Sequence, residues 1–171
     1  MSHTMVYLTV ISRYRDASMT TLELKIPPLA LTIILAILMW SLSDQLPDAT
    51  LNYVWSGVFA VSFFVSGIIF ALLGVLEFRK ADTTVDPRVP QHTSSLVVSG
   101  VYRLSRNPMY IGFFLILLGW ALYLSDILAL LLLPLFIIYM NRFQIIPEEQ
   151  LMREKFGEEY VSYMSQVRRW I

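Results

Sequence analysis

The sequence predicts an all-α integral membrane helical bundle with four transmembrane helices, followed by short amphipathic C-terminal helices. Of its 171 residues, 56% are hydrophobic and 15% are charged, and the mean hydropathy is +0.60. Soluble domains usually carry about 25% charged residues and are less apolar. Long apolar stretches alternate with polar connections, and no internal repeat divides the chain. We therefore interpret residues 1–171 as a single membrane domain.

Four apolar stretches account for the four predicted transmembrane helices. A helix needs about 20 apolar residues to cross a hydrocarbon core of about 30 Å. The stretches are residues 26–42, 51–76, 109–124 and 127–146. The third would cover only about 24 Å at 1.5 Å per residue. We expect its end to stop in the headgroup region, or its neighbours to compensate by tilting.

The distribution of basic residues predicts the orientation of the bundle. Every Lys and Arg lies in the N-terminal arm, in the loop between the second and third helices, or in the C-terminal region. The connections at 43–50 and 125–126 carry none. Since basic residues concentrate in cytoplasmic loops, both termini and the central loop are predicted to be cytoplasmic. The third and fourth helices would then form a hairpin that turns at Asp126 on the far side.

The N-terminal 18 residues precede the predicted bundle. They contain neither a 20-residue apolar run nor a small-residue cleavage site after an apolar region, so a signal peptide is not expected. Met19 is a plausible alternative start. We predict that residues 1–18 are a dispensable extension, that residues 26–77 form the first two helices, and that residues 80–171 carry the active region.

Composition excludes several kinds of chemistry. The chain has no cysteine, which removes thiolate nucleophiles and zinc–thiolate sites. Its histidines, His3 and His92, are too few for a histidine-built metal centre, so no metal is expected. A formal net charge of zero gives no support for nucleic-acid binding. Nucleotide-binding glycine loops and serine-hydrolase or zinc-protease motifs are also missing. Difficult chemistry would therefore come from an organic cofactor.

Residues 99–112, with the sequence SGVYRLSRNPMYIG, carry the most informative motif. One interpretation is a membrane anchor, because tyrosine and arginine are common where a helix enters the headgroups. The other is a ligand clamp. Pro108 disfavours helical geometry for Asn107, and an anchor does not need such a defined turn.

A second polar motif, Pro147-Glu148-Glu149, follows the fourth apolar stretch. Acidic residues in the first turn of a helix stabilise it by about 0.3–1 kcal/mol, which is one sufficient reason for the pair. A carboxylate there could also bind a ligand ammonium or a ribose hydroxyl. Gly157 is predicted to end this helix, and residues 158–167 to form a second amphipathic helix before the basic-aromatic residues 168–170.

Two charged residues near the helix ends have similarly open interpretations. Arg142 lies about one turn before the fourth helix leaves the membrane and could snorkel to the headgroups. If it instead points into the bundle, it could bind an anionic group of the substrate. Glu77 is interpreted as snorkelling and pairing with Arg79 or Lys80 at little net gain.

Taken in order, these motifs resemble the isoprenylcysteine carboxyl methyltransferase family and its wider relatives, the membrane phospholipid methyltransferases. The shared pattern is SGVY, RNPMYIG, a two-helix hairpin, PEE, FGEEY and a basic-aromatic end. It covers about residues 80–171, while the first two helices match only in hydropathy. The resemblance implies a methyltransferase with S-adenosyl-L-methionine as cofactor, which O-methylates the carboxyl group of an isoprenylcysteine-like or other lipidic or small hydrophobic acceptor from the membrane. In line with the zero net charge, no nucleic-acid partner is expected.

The resemblance also implies site residues. The cofactor pocket would draw on Ser94, Ser95, Leu96, Val97, Tyr102, Asn107, Pro108, Met109, Tyr110, Glu148 and Glu149. Arg142 and Glu149 are the predicted catalytic residues. Arg142 falls near the family's arginine for the substrate carboxylate, although a shift of two residues would place Gln144 there.

One position departs from the family pattern. Enzymes that act on prenylcysteine usually have histidine before the proline, whereas this chain has Asn107. Asparagine can hydrogen-bond but cannot titrate near neutral pH. Methylation of a phospholipid amine or a thiol is therefore an alternative to carboxyl O-methylation. A non-catalytic membrane scaffold or transport component, or a membrane reductase with a nicotinamide cofactor, would be alternatives of other classes.

Overall fold

The computed structural model describes residues 23–45, 56–81 and 95–171. Every regular element in these ranges is helical, which confirms the predicted all-α class. The α-helices are α1 (Pro28–Gln45), α2 (Ser56–Lys80), α3 (Pro108–Leu124), α4 (Ile127–Tyr139), α5 (Ile146–Phe156) and α6 (Glu158–Gln166). A 3₁₀ turn, Gly100–Arg103, precedes α3, and a π-helical turn, Met140–Ile145, joins α4 to α5.

Three of these helices are long and apolar enough to cross a membrane. They are α1, the α2 span Gly57–Lys80, and the continuous helix Ile127–Phe156 that runs from α4 through α5. α3 is the short apolar helix that was predicted, with 17 residues. The chain is thus a multi-pass integral membrane protein. α1 and α2 both continue beyond their last apolar residues, because helical hydrogen bonding extends into the polar residues that follow.

α2 packs against α3 through a seam of small residues, with backbone close to backbone. A Cβ atom added to Gly112 would lie 2.6 Å from the carbonyl oxygen of Gly67, and one added to Gly119 would lie 2.7 Å from that of Ala60. Small residues allow membrane helices to approach this closely, and close packing is a main source of their association. The outward residues of α2, including Val61 and Leu72, are exposed and suited to lipid.

The remaining core joins α1, α3 and α4. Met39, Leu117 and Phe136 are fully buried and belong to one apolar cluster. The indole N–H of Trp120 donates to the carbonyl of Ala36 at 3.0 Å, which ties α3 to α1. This contact gives α1 a defined place in the bundle although its sequence is apolar on all sides.

The hairpin between α3 and α4 turns where it was predicted to turn. α3 ends at Leu124, and the next residue, Ser125, has a left-handed φ of 52°. One carboxylate oxygen of Asp126 accepts the backbone N–H groups of Leu128 at 2.6 Å and Ala129 at 3.1 Å. Asp126 therefore caps α4 by satisfying two donors that have no partner within the helix.

The C-terminal helices also follow the predicted local signals. Pro147 lies in the first turn of α5, and Gly157, with a φ of +53°, separates α5 from α6. The backbone N–H of Leu24 donates to the carbonyl of Phe143 at 2.9 Å, and the indole N–H of Trp170 donates to Asn141 at 3.1 Å. Both outer ends of the described chain therefore lie beside the π-helical turn. The expectations for residues 1–18 and for Ser94 lie outside the described ranges.

Candidate functional site

A cavity lies at the end of the bundle where α2 ends and α3 and α5 begin. It contains about 680 Å³ of empty space, counting the part open to solvent. The residues that line it are Phe78, Ser95, Leu96, Val97, Tyr102, Arg106, Asn107, Met109, Tyr110, Ile145, Glu148, Glu149, Met152, Tyr160 and Tyr163. Apart from Ser94 and Pro108, all the predicted cofactor residues are among them. Pro108 is fully buried behind the wall, directly before Met109.

The Ser-Gly-Val-Tyr motif is held in place by the end of α2. The Ser99 hydroxyl donates to Glu77 at 2.6 Å, and Lys80 pairs with the same carboxylate at 2.7 Å. Gly100 has a φ of +57°, and a Cβ there would lie 2.5 Å from the Glu77 carboxyl carbon. Glycine suits this position, because it adopts the left-handed conformation readily and leaves room for the Glu77 carboxylate.

This arrangement places Tyr102 in the cavity wall. Its ring meets Phe78 edge to face, with ring centroids 5.4 Å apart, and the Tyr163 hydroxyl donates to its backbone carbonyl at 2.7 Å. Helical spacing pairs Glu77 only with Arg79 or Lys80, so its hydrogen bond with Ser99 was not predicted from the sequence. The available signal was an acidic residue at a helix end, followed after a loop by Ser-Gly.

The Arg-Asn-Pro turn is tied to the C-terminal strap, which we define as residues 167–170. Arg106 donates to the carbonyl of Val167 at 2.7 Å and to one carboxylate oxygen of Glu149 at 2.7 Å. Arg169 pairs with the other oxygen of Glu149 at 2.7 Å. Glu149 is only 6% exposed. A buried carboxylate is tolerated when it is paired and fully hydrogen-bonded, so Glu149 joins α5, the turn and the strap as a neutralised unit.

Asn107 lines the cavity and also holds the strap. Its amide nitrogen donates to the carbonyl of Arg169 at 2.9 Å. The hydroxyl of the fully buried Ser105 donates to the same carbonyl at 3.1 Å and accepts the backbone N–H of Asn107 at 3.0 Å. The position that departs from the family's histidine is therefore part of a hydrogen-bonded turn.

Glu148, the neighbour of Glu149 in the sequence, also lines the cavity with its carboxylate. The Tyr110 hydroxyl donates to it at 2.7 Å, and so does the side-chain amide of Gln144. Gln144 is buried and belongs to the π-helical turn. These two donors come from different elements, so they fix the direction of the carboxylate, which is suited to bind a cation or a hydroxyl.

Arg142 lies outside the cavity wall. Its guanidinium pairs with Glu23 at 2.7 Å, and its side chain is 49% exposed. It also lies over the ring of Phe143, with 5.5 Å between its guanidinium carbon and the ring centroid. Its predicted contact with a substrate carboxylate stays a prediction. In the described structure Gln144, the alternative position, is the one that faces Tyr110 and Glu148.

Three tyrosines form much of the remaining wall and stay protonated at neutral pH. Burial, aided by the nearby Glu149, raises the pKa of Tyr160 to about 12. Burial also raises the pKa values of Tyr163 and Tyr102, which are higher still. These phenols can therefore pack against a ligand, but they do not supply an anionic base, and the Tyr163 hydroxyl already donates to the Tyr102 carbonyl. The hydrogen bond to Glu149 raises the pKa of Arg169, which remains charged.

Comparison with known proteins identifies the family. The phospholipid methyltransferase family model matches residues 55–159, which include α2 to α5 and both Glu148 and Glu149. The chain belongs to the phospholipid methyltransferase family. Membership in the phospholipid methyltransferase family implies a membrane methyltransferase that uses S-adenosylmethionine and acts on lipid-like acceptors.

One relative is similar to this chain in sequence, but its description names no activity. A protein of Haemophilus influenzae, described as uncharacterized, is 48% identical over 63 residues, which make up 37% of this chain and 100% of that protein. No solved structure matches the chain. The inference of methyl transfer therefore rests on the phospholipid methyltransferase family and on the cavity.

The cavity residues fit the cofactor that the family uses. S-adenosylmethionine carries a sulfonium, an ammonium and a carboxylate, and the oriented carboxylate of Glu148 suits its two cationic groups. The rings of Phe78 and Tyr102 meet in the wall, and aromatic faces attract cations. Leu96 and Val97 supply apolar surface next to them. Among the described residues, no group of acidic, histidine or cysteine side chains could hold a metal ion.

Proposed function

We propose that this protein is an S-adenosylmethionine-dependent membrane methyltransferase with a lipidic or small hydrophobic acceptor, and that the cavity holds its cofactor. The observation that carries the proposal is the orientation of Glu148 by Tyr110 and Gln144. It occurs in a cavity that also gathers Tyr102 and Asn107. An acidic first turn that served only to stabilise α5 would not require donors from two other elements.

The residues of the chain have distinct parts in this proposal. Glu148 binds the ammonium or the ribose hydroxyls of the cofactor, and Tyr102 and Met109 pack against it. Glu149 holds the wall through Arg106 and Arg169. The cofactor supplies a methyl group already activated on sulfur. The protein therefore has to align the acceptor with that methyl group and exclude water. A carboxylate acceptor needs no base, whereas an amine or a thiol must also release a proton, which water can accept.

Two classes of acceptor are supported by different observations. The resemblance to the isoprenylcysteine carboxyl methyltransferases supports O-methylation of a lipid-linked carboxylate. The geometry supports a phospholipid amine or a thiol. Arg106 is the one cation among the described lining residues, and it already binds Glu149 and Val167. A reacting carboxylate would have to compete for that guanidinium, whereas a reacting neutral amine or thiol group would not.

We further propose that residues 1–171 form a single membrane domain with the cavity and both termini in the cytoplasm. The distribution of basic residues supports this orientation. The position of Glu23 and Trp170 beside the same turn is consistent with it. Under this proposal the charged cofactor enters from the cytoplasm and the acceptor enters from the bilayer.

Calorimetric titration with S-adenosylhomocysteine tests the proposed cofactor site. We expect saturable binding to the wild-type protein, and a loss of about tenfold or more in affinity for Glu148→Gln, equivalent to about 1.4 kcal/mol. Glu154→Gln is the matched control, because Glu154 lies exposed on the same helix. Absence of wild-type binding at millimolar ligand in several detergents would contradict the proposal. Equal affinities of the two variants would reduce Glu148 to a helix-stabilising residue.

Transfer of a labelled methyl group distinguishes the acceptors. The panel consists of prenylcysteine analogues, phosphatidylethanolamine and thiols. Label in the prenylcysteine carboxyl group would support the resemblance, and label in the amine or thiol would support the geometric argument. A non-catalytic scaffold or transport component predicts no transfer, and tolerance of substitution at Tyr102, Asn107 and Glu149.

A further inference from the structure

Two residues that precede α1 bind the outer side of the π-helical turn. We call Glu23 and Leu24 the N-terminal clasp. Leu24 donates its backbone N–H to the carbonyl of Phe143 at 2.9 Å, and Glu23 pairs with Arg142 at 2.7 Å. The Glu23 side chain is 7% exposed, and Leu24 is 9% exposed. The clasp is therefore packed into the protein and does not lie loosely on its surface.

The π-helical turn receives a hydrogen bond from outside the helix at this point. Pro147 lies four residues after Phe143 and has no N–H, so it cannot supply the usual α-helical hydrogen bond to the Phe143 carbonyl. The N–H of Leu24 bonds that carbonyl instead. Leu24 adopts a left-handed φ of 57°, a conformation that is uncommon for a residue with a bulky side chain. Surrounding contacts must hold it there.

The inner side of the same turn reaches the cavity. Gln144, which directly follows Phe143, donates to the Glu148 carboxylate and lies 3.5 Å from the Tyr110 hydroxyl. Isolated π-helical turns occur often at functional sites, because the extra residue redirects the side chains that follow it. The Phe143 carbonyl, which accepts the hydrogen bond from Leu24, belongs to the peptide group that joins Phe143 to Gln144. Gln144 in turn orients Glu148.

We propose that Glu23 and Leu24 are positioning residues: they fix the π-helical turn so that Gln144 holds Glu148 in its ligand-binding direction. The inference rests on the proposed cofactor site. Arg142 then connects the clasp to the turn, and its part in ligand binding is indirect. The clasp lies outside residues 55–159, the range matched by the family model, so the family match does not imply this role.

Charge reversal in the full-length protein tests the clasp. We expect Glu23→Arg and Arg142→Glu each to weaken S-adenosylhomocysteine binding by about fivefold, a size typical of residues that act without touching the ligand. The double variant Glu23→Arg/Arg142→Glu restores the pair and should return the affinity to near the wild-type value. Arg79→Glu is the matched control, since Arg79 is an exposed arginine at the end of α2. It should leave the affinity unchanged.

Hydrogen exchange of residues 140–148 without ligand gives a readout that does not need the cofactor. The single variants should exchange faster in this segment, and the double variant should recover. Glu23→Gln, which still offers an oxygen to Arg142, should show a smaller change and serves if the reversals fold poorly. Wild-type exchange in both reversals would overturn the inference. Faster exchange with unchanged affinity would also overturn it, since the clasp would then be structural only.

The outcomes separate this inference from the proposed function. If the wild-type protein does not bind S-adenosylhomocysteine, the proposed function fails, and hydrogen exchange decides whether the clasp holds the turn. If the wild type binds and the reversed pair does not recover, the cofactor site stands and the positioning role of the clasp is rejected.

Discussion

α3 and the turn that precedes it are held by different kinds of interaction. Along the helix, Gly112 and Gly119 bring its backbone against the backbone of α2. Just before its first turn, Arg106 and Asn107 are tied to Glu149 and the C-terminal strap by ion pairs and hydrogen bonds. Helices in lipid gain little from burying apolar surface, so the seam depends on shape. The polar end depends on complete pairing of buried charge.

Removing the central carboxylate should give the largest loss of stability. Glu149→Ala leaves Arg106, whose side chain is 9% exposed, without its carboxylate partner. Breaking a buried pair on one side costs about 3–5 kcal/mol. Equilibrium unfolding in detergent measures the change, with Glu154→Ala on the exposed side of α5 as control. Similar stabilities for the two variants would mean that the polar end is held by its backbone hydrogen bonds alone.

Adding one methyl group to the seam should have the next largest effect. In Gly112→Ala the new Cβ would lie 2.6 Å from the Gly67 carbonyl oxygen and 2.7 Å from the Ala71 nitrogen. Backbone atoms cannot move aside as side chains can, and overpacking typically costs about 1–3 kcal/mol. Gly57→Ala in α2 is the control, because nothing lies within 4 Å of its added Cβ. Thermal unfolding should separate the two, and equal midpoints would refute the close seam.

Deleting a single hydroxyl from the polar end should have the smallest effect of the three. Tyr163→Phe removes the donor to the Tyr102 carbonyl and should lower the free energy of unfolding by about 1 kcal/mol. Tyr123→Phe controls for the loss of a hydroxyl, since Tyr123 is 67% exposed. A loss as large as that of Glu149→Ala would show that the polar end fails as one cooperative unit.

The helices and the approximate membership of the cavity were predictable from sequence. Apolar runs predict spanning helices because a hydrocarbon core leaves the backbone few alternatives. Pro147 and Gly157 act locally, so their positions in α5 and after it could be predicted. The cavity residues flank the α3–α4 hairpin on one side, and most of them are positions that the resemblance to the methyltransferases implied.

The predicted pairing of Glu77 with Lys80 is confirmed, but the partners of charged residues from distant parts of the chain were not predictable. Arg142 pairs with Glu23, and Glu77 with Ser99, across separations that no helical periodicity encodes. The π-helical turn changes which residues face inward, so that Gln144 faces Glu148 while Arg142 faces outward. This turn also receives a contact from a distant part of the chain, the N–H of Leu24. Local sequence therefore predicts where helices begin and end better than it predicts which of their side chains face the interior.

The small residues of the α2–α3 seam recur at every seventh position, at Ala60, Gly67 and Gly74 in one helix and at Gly112 and Gly119 in the other. A repeat of this kind does not define a unique alignment, because sliding one helix by about 10 Å along its axis would again set small residues against small residues. The bond between Glu77 and Ser99 occurs once and fits one alignment only. This bond therefore helps to select one alignment of the two helices, which the repeat of small residues alone does not determine.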